Sequence, residues 1–242
     1  MGRFAAQALF VVLVACAPNR AESPRISHDD APRWGGLDVV ERGRGNVTVV
    51  LMHGYGAPGD DLVALGEELS AEVPARFVMP AAPRIWQGGP PGRAWFEREP
   101  SLARAQLPAA SRAVDGVIAT LVDEGVPASR LVLAGFSQGA MMALERSLRG
   151  PATPRAIVLL SGGAIRGVDD GELDWSRLAN LPVFVSHGRQ DPILPFSGAE
   201  TMVQRAEAAG ARVTFVPFDG GHSIPPVVRR EVTRFLREVV AR

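Results

Sequence analysis

Apolar runs alternate with amphipathic segments along most of the chain, from about residue 47 to residue 240. Runs of four to eight apolar residues are typical of buried strands, whereas apolar positions at helical spacing over ten or more residues indicate helices. Residues 37–41 are predicted to form an antiparallel edge strand. The other predicted strands are 47–52, 76–79, 131–136, 156–161, 183–187 and 213–217, and the predicted helices are 60–72, 101–124, 138–148, 198–209 and 225–240.

Strands and helices that alternate in this way form βαβ units. The pattern therefore predicts an α/β fold, with a mostly parallel central sheet and helices on both faces. A chain of 242 residues, 46% of them hydrophobic, is long enough for one large core, so we expect one folded domain. The pattern does not predict the oligomeric state.

The segment 131–142 reads LVLAGFSQGAMM and joins a predicted strand to a predicted helix. Ser137 lies at the turn, between Gly135 and Gly139. Such a turn is typical of a nucleophile elbow, in which the glycines let the two backbones approach and the serine hydroxyl stands clear of the sheet. The pentapeptide is short enough to arise by chance, so the hypothesis of a reactive serine depends on finding partners for it.

A reactive serine needs a general base and an acid that orients it, and in hydrolases with such an elbow the chain order is serine, acid, histidine. His222 follows Ser137 in the turn-rich segment PFDGGHSIPP and is the predicted base. His187 also follows Ser137, but it ends an apolar strand, where a hydrogen-bonded structural histidine is expected. His53 precedes the serine and does not fit the order.

Two aspartates are candidates for the acid. Asp191 comes shortly after the predicted strand 183–187, so we expect its carboxylate at the same edge of the sheet as Ser137. Asp219 lies three residues before His222. Either aspartate could instead serve only as a turn residue, but the position after a strand favours Asp191.

An oxyanion hole needs two preorganised N–H donors. The residue after the nucleophile supplies one, which here is the backbone amide of Gln138. The loop after an early strand supplies the other, and the sequence HGYG after the strand 47–52 predicts the amide of Tyr55. We expect His53 to hold this loop by hydrogen bonding.

Two segments interrupt the alternation, residues 81–100 and residues 162–180. Long loops tend to be functional, and ligands of open α/β sheets bind beyond the carboxyl ends of the strands. Both segments are therefore predicted to form pocket walls, although buried aromatic side chains usually belong to the core. The candidate pocket residues are Trp86, Trp95, Phe96 and Ile165.

The N-terminal segment resembles a secretory signal. A short positive start is followed by an apolar stretch at residues 4–14 that is too short to span a bilayer. The tetrad LVAC, ending at Cys16, resembles a bacterial lipobox, and the alternative is an ordinary signal peptide with a chance cysteine. The predicted divisions are a signal peptide at 1–15, a polar tether at 16–34 and the folded domain at 35–242.

A lipidated Cys16 would attach the protein to a membrane of the bacterial envelope. Ala17 after the cysteine favours the outer membrane. The alternative is a soluble periplasmic or secreted protein. The formal net charge is zero, so the basic surface of a nucleic-acid-binding protein is not expected.

Five blocks of sequence, in the same order, resemble the phospholipase/carboxylesterase family of α/β-hydrolases, to which the acyl-protein thioesterases belong. The resemblance covers about residues 47–239, and the blocks are LMHGYGAPGDDL, RFVMPAAPR with AWFE, VPASRLVLAGFSQGAMMAL, LPVFVSHGRQDPILP and GGHSIPP. It implies a triad of Ser137, Asp191 and His222, with oxyanion donors and a pocket residue at Tyr55, Gln138 and Trp95. Thioesterase members often have leucine where this chain has Tyr55.

The predicted activity is hydrolysis of small- to medium-chain acyl esters, with lysophospholipids as a further substrate class, through an acyl-enzyme on Ser137. We expect neither a metal nor an organic cofactor. Two alternatives stay open because fold and triad do not fix the substrate. One is a serine peptidase or a carbohydrate-ester deacylase, and the other is a lipoprotein that binds without turnover.

Overall fold

The computed structural model of the protein describes residues 32–89, 91–165, 168 and 173–242. These residues form an eight-stranded sheet in the order β1-β2-β4-β3-β7-β8-β9-β10, together with a small two-stranded sheet of β5 and β6. The strands are β1 (Arg33–Trp34), β2 (Leu37–Arg42), β3 (Val47–Met52), β4 (Ala75–Pro80), β5 (Arg84–Trp86), β6 (Gly92–Ala94), β7 (Leu131–Phe136), β8 (Ala156–Leu160), β9 (Pro182–Gly188) and β10 (Arg212–Phe218).

The sheet is parallel from β4 to β10, and β2 and β1 extend it in antiparallel pairing. Among the described residues, four α-helices lie between strands and a fifth follows the last strand, and together they cover both faces. They are α1 (Val63–Glu72), α2 (Pro100–Asp123), α3 (Gln138–Arg149), α4 (Phe196–Ala208) and α5 (Pro226–Ala241).

Both faces of the central strands are buried, which explains their continuous apolar sequences. Along β3, Val50 and Met52 pack into the core under α2, α3 and α4, whereas Val49 and Leu51 pack into the core under α1 and α5. Successive side chains of a strand point to opposite faces, so one apolar run supplies both cores.

The predicted α/β architecture is confirmed. The structure contains every predicted strand and helix, and nearly all element ends agree within two residues. The start of α1 is the exception, because residues 60–62 form a turn before the helix begins at Val63. The edge strand β2 pairs antiparallel with β4, as expected.

Two segments that were predicted to be irregular contain strands. Trp34 was assigned to the tether, but it pairs with Leu37 and is 8% exposed, so the fold includes β1. The segment 81–100 contains the hairpin β5–β6, in which Ile85 pairs with Arg93. The hairpin is joined to the loop after β3 because the Gly56 amide donates to Arg93 O at 2.8 Å.

The predicted signal peptide and Cys16, with the tether up to residue 31, lie outside the described residues. In the part of the chain that the structure describes, no helix has both the length and the apolar character needed to cross a bilayer.

Candidate active site

Ser137 lies at the tight turn between β7 and α3, and its backbone φ is 54°. This left-handed conformation is uncommon for a residue with a side chain and is found at strained functional turns. The Ser137 amide donates to Leu160 O at 2.8 Å, which ties the turn to the end of β8. The side chain is half-buried at the carboxyl edge of the sheet.

The glycines on either side of Ser137 lie where no side chain fits. A Cβ at Gly135 would lie 2.2 Å from the carbonyl carbon of Gly139. A Cβ at Gly139 would lie 2.0 Å from the carbonyl oxygen of Met52, at the end of β3. The close backbone approach expected of a nucleophile elbow is therefore present.

His222 and Asp191 lie side by side on loops that follow neighbouring strands. The Nδ1 atom of His222 is 2.7 Å from Oδ2 of Asp191, and the Asp191 side chain is fully buried. The imidazole ring packs against the ring of Phe136, with the centroids 4.8 Å apart. His222 therefore lies beside the residue that precedes Ser137, and the structure brings the three predicted residues to one edge of the sheet.

The alternative acid does not share this position. The side chain of Asp219 is 88% exposed, and its Oδ1 lies 3.8 Å from Nε of Arg189. A surface ion pair of this length contributes little and orients nothing in the site.

Asp191 stays ionised although its carboxylate is buried. Burial raises the pKa of this carboxyl group, but hydrogen bonds from His187, from His222 and from the amides of Leu194 and Ile193 outweigh it. The pKa of Asp191 is therefore held well below its usual range, because hydrogen bonds to a carboxylate favour its charged form. A charged Asp191 favours a proton on Nδ1 of His222 and leaves Nε2 as the basic nitrogen.

The loop after β3 runs directly past Ser137. A Cβ at Gly54 would lie 3.3 Å from Cβ of Ser137, so this glycine keeps the loop close to the serine. His53 fastens the loop: its Nε2 accepts from the Ala82 amide at 2.9 Å, so Nδ1 is the protonated nitrogen and donates to Gly54 O at 2.7 Å. Burial lowers the pKa of His53 and keeps the ring neutral.

The two predicted oxyanion donors belong to the segments on either side of Ser137. Gln138 is the first residue of α3, and amides in the first turn of a helix have no partner within the helix. Tyr55 follows Gly54, and its hydroxyl donates to Oε2 of Glu97 at 2.7 Å. The Tyr55 side chain is thus held by the 81–100 segment, while its amide belongs to the loop beside Ser137.

Trp95 has a structural role. Its side chain is 0% exposed, its indole N–H donates to His53 O at 3.0 Å, and its amide donates to Oε1 of Gln138 at 2.8 Å. The Gln138 amide group also donates to Phe96 O at 2.7 Å. Trp95 is therefore a core residue that joins the elbow to the loop after β3, rather than a side chain exposed to a cavity.

The other pocket candidates are divided between different surroundings. Phe96 is 4% exposed and belongs to the core. Trp86 lies on the hairpin, with its ring 6.1 Å from that of Tyr55. Ile165 lines a cavity of about 230 Å³ between α3 and α4, whose walls also include Met141, Leu144, Leu148, Met202 and Trp175.

This cavity begins one helical turn from the serine. Met141 is in its wall, and the Met141 amide donates to Ser137 O at 3.2 Å. Gly163, just beyond the end of β8, is also in the wall. Most of the lining is apolar, with Glu145 and Arg205 as its charged members.

The structure also adds two residues that the sequence did not single out for the site. Ser161 has a φ of 46° and is fully buried, and its hydroxyl donates to Ser223 O at 3.4 Å, next to His222. His187, expected to be structural, is fully buried and lies 3.3 Å from Oδ2 of Asp191. No sequence signal distinguishes Ser161 from any other serine at the end of a strand. The spacing of His187, four residues before Asp191, is a signal that could have indicated its contact with the acid. Among the described residues, no group of three or more His, Cys, Asp or Glu side chains has an arrangement that could hold a metal ion.

A mostly parallel sheet, a strand–serine–helix elbow and an aspartate–histidine pair on later loops define an α/β-hydrolase. The model of the phospholipase/carboxylesterase family matches residues 38–240. The chain therefore belongs to the phospholipase/carboxylesterase family and is a carboxylic ester hydrolase.

Named relatives and solved structures agree with this family. Acyl-protein thioesterase 1 of Saccharomyces cerevisiae is 30% identical over 163 residues, which are 61% of this chain and 71% of that protein. The enzyme of the same name from Gibberella zeae is 27% identical over 210 residues, covering 79% of this chain and 89% of that protein. The crystal structure of esterase PE8 superposes with a TM-score of 0.74 at 32% identity and covers 84% of this chain and 99% of its own.

Proposed function

We propose that the protein is a serine carboxylesterase in which Ser137 is the nucleophile, His222 the general base and Asp191 the orienting acid. The observation that carries this proposal is the 2.7 Å contact between His222 Nδ1 and the buried carboxylate of Asp191, beside a serine in an elbow conformation. A proton fixed on Nδ1 leaves Nε2 free to accept the hydroxyl proton of Ser137.

The reaction proceeds through an acyl-enzyme. Ser137 Oγ attacks the ester carbonyl carbon while His222 takes the hydroxyl proton, and the carbonyl π pair moves to the oxygen. Collapse of this intermediate breaks the bond to the leaving oxygen, which receives the proton from His222. Water then attacks the acyl-enzyme by the same steps, with His222 as its base, and releases the carboxylic acid product and free Ser137. Asp191 stays ionised throughout and stabilises the charged imidazole.

The amides of Tyr55 and Gln138 receive the oxyanion. Each preorganised donor contributes about 2.7–4 kcal/mol to transition-state stabilisation. Three contacts support this assignment: the Gly54 backbone lies against Ser137, Trp95 joins this loop to Gln138, and the Gln138 side chain is held by the 95–96 backbone. The two donor segments therefore move little relative to each other.

The substrates are esters with small or medium acyl chains, and the cavity between α3 and α4 supports this range. Its volume of about 230 Å³ exceeds the roughly 150 Å³ that is enough to hold a benzene ring. Its lining is mostly apolar, with Met141 and Ile165 among its residues, and suits an alkyl chain. We include lysophospholipids as a further substrate class. The names of the fungal relatives make acyl thioesters the first comparison to test.

Hydrolysis of p-nitrophenyl esters from acetate to palmitate, measured beside Ser137→Ala, tests the proposal. We expect turnover in the wild type, at least a 1000-fold lower kcat in the variant (on the order of losses at a nucleophile), and an optimum at short or medium chains. Fluorophosphonate should label the wild type and not the variant. A folded wild type that neither turns over nor is labelled would favour a binding protein without turnover.

Matched substrates separate the alternatives within the enzyme class. An acyl ester, the corresponding thioester, an acetylated sugar and a peptide amide, offered at equal concentration, should give the highest kcat/KM for the acyl ester. A preference for the peptide or for the sugar would replace the carboxylesterase assignment with peptidase or deacylase, while the Ser137 requirement would stay the same. Lysophosphatidylcholine with short and long chains tests the lysophospholipid class.

We also propose that Cys16 carries the lipid that attaches the protein to the bacterial outer membrane, with the tether that follows it as the spacer. The support is the lipobox-like tetrad LVAC behind an apolar stretch at residues 4–14. Metabolic labelling with a palmitate analogue in a bacterial host should label the wild type and not Cys16→Ser. An unlabelled wild type found in the periplasm would show that the protein is soluble.

A further inference from the structure

His187 lies at the end of β9 with no exposed surface, in contact with the predicted acid. Its Nε2 is 3.0 Å from Leu194 O and 3.3 Å from Oδ2 of Asp191. Both neighbours are acceptors, so Nε2 must carry the proton: it donates to Leu194 O, and Oδ2 of Asp191 is a second, more distant contact.

The other ring nitrogen has no role in hydrogen bonding. Nδ1 of His187 is buried and has no partner among the described residues. A second proton there would be a buried donor without an acceptor, which is costly. The N–H on Nε2 is therefore the one that the surroundings of His187 accommodate, and it is directed at the acid and at the turn that follows it.

The carboxylate of Asp191 is surrounded by four nitrogen donors. Oδ1 accepts from the amides of Ile193 and Leu194 at 2.8 and 2.9 Å. Oδ2 faces Nδ1 of His222 at 2.7 Å and Nε2 of His187 at 3.3 Å. A carboxylate offers about four lone-pair directions, so all of them are taken and the group has one orientation.

His187 has a particular place among these donors. The two amides hold Oδ1 from the Asp191 turn itself, and His222 is the group that has to be oriented. His187 is the only one of the four that belongs to a strand of the sheet, so it fixes the position of Oδ2 relative to the rigid core. Its contact with Leu194 O fixes the same turn from the other side.

We propose that His187 is a positioning residue that holds the Asp191 carboxylate in the orientation that His222 needs. The inference rests on the proposed function, because it assumes that His222 acts as base for Ser137. His187 touches neither substrate nor Ser137 in this role, and it acts through Asp191 alone. Its removal should therefore lower kcat and leave KM nearly unchanged.

Three variants separate donor position from packing. In His187→Gln the amide nitrogen stands the same number of bonds from Cα as Nε2, so it keeps the donor. His187→Met has the same length without a donor, and His187→Asn has a donor that is too short to reach Asp191. We expect His187→Met and His187→Asn to lower kcat about tenfold or more, as for loss of a hydrogen bond to a charged group, with KM within about twofold. His187→Gln should recover most of the loss.

The measurements are kcat and KM for the best p-nitrophenyl ester, the rate of fluorophosphonate labelling and the melting temperature of each full-length variant. The His187→Gln and His187→Asn pair decides the result if His187→Met does not fold. Wild-type kcat in folded His187→Asn, or equal losses in His187→Gln and His187→Asn, would overturn the inference. An inactive, unlabelled wild type would instead overturn the proposed function, and this inference with it.

Discussion

The indole N–H of Trp95 donates to the main-chain oxygen of His53 at 3.0 Å, and the His53 ring in turn accepts from the Ala82 amide at 2.9 Å. These two hydrogen bonds help to join the 81–100 segment to the loop after β3, beside those between Gly56, Ala57 and Arg93. Both are buried, so each is costly to lose. The predicted oxyanion loop is therefore held by side chains that do not contact the serine hydroxyl.

Trp95→Phe tests this connection, because it removes the N–H while keeping an aromatic ring, although the smaller ring also leaves a cavity. The free energy of unfolding should fall by about 1–3 kcal/mol because a buried carbonyl loses its donor, with the cost of the cavity in addition. Urea denaturation measures the loss. Trp175→Phe is the control with the same change of ring: the Trp175 N–H is buried and has no partner among the described residues, so its removal should cost less. Equal losses in the two variants would contradict the role given to the Trp95 hydrogen bond.

The pKa of Tyr55 can be measured directly, because the chain has one tyrosine. Burial and the hydrogen bond to Glu97 raise this pKa to about 12. Ultraviolet titration of tyrosinate should give a midpoint near 12 in the folded protein and about 10 in urea. Glu97→Gln should lower the folded value, because the negative neighbour is gone. A folded midpoint equal to the value in urea would mean that the Tyr55–Glu97 contact is absent.

His53 makes stability depend on pH in one direction. Its pKa is lowered in the folded protein from an ordinary value of 6.5, mainly by burial. Below pH 6.5 His53 binds a proton in the unfolded chain but not in the folded protein. The free energy of unfolding therefore falls as the pH drops from 7 to 5. His53→Asn keeps a donor to Gly54 O and removes this titration. The stability difference between wild type and variant should narrow over that interval, and a constant difference would refute the prediction.

Asp191→Asn replaces an acceptor by a donor opposite His222 and should lower kcat by about 10⁴-fold, with the Nδ1 proton no longer favoured. The pKa of Asp191 is lower in the folded protein than its ordinary value of 3.8. The charged carboxylate therefore stabilises the fold at any pH above 3.8, and this contribution is lost as the pH falls through the folded pKa. The difference in the free energy of unfolding between wild type and Asp191→Asn should therefore be constant from pH 7 to 5 and become smaller only below about pH 4. Asp219→Asn, at an 88% exposed side chain, should change neither quantity, and a large loss of kcat there would reopen the choice of acid.

Gly139→Ala should destabilise the elbow, because the added Cβ would lie 2.0 Å from Met52 O and backbone would have to move. Overpacking of this kind costs about 1–3 kcal/mol, and the displaced Gln138 amide should also lower kcat. Gly198→Ala lies likewise in the first turn of a helix, and apart from the adjoining backbone no described atom is within 4 Å of the added Cβ, so it should be neutral or stabilising. Thermal unfolding compares the two, and a neutral Gly139→Ala would contradict the close approach.

The central strands and the elbow could be predicted because local sequence determines them. A strand buried on both faces needs a continuous apolar run, and β7 has one that stops at Phe136 just before Ser137. Chain order and a turn-rich setting then selected His222, the position after a strand favoured Asp191 over Asp219, and the structure brings His222 and Asp191 together.

The parts that the sequence did not predict depend on contacts between distant segments. The hairpin β5–β6 has strands of three residues and no apolar alternation, and it is held by the pairing of Gly56 and Ala57 with Arg93. The position of Trp95 could not be predicted either, because a core and an acyl pocket both favour a large apolar ring.

The parallel strand order has a consequence for how the protein matures. Ser137 follows β7 and His222 follows β10, and β8 and β9 lie between these strands in the sheet. Parallel neighbours are joined by long crossovers, so their pairing closes large loops and is slow. A chain that ends before β10 carries the proposed nucleophile but not the proposed base, and hydrolysis should therefore appear only when the last strand has docked. The time at which esterase activity appears during refolding therefore reports when folding is complete.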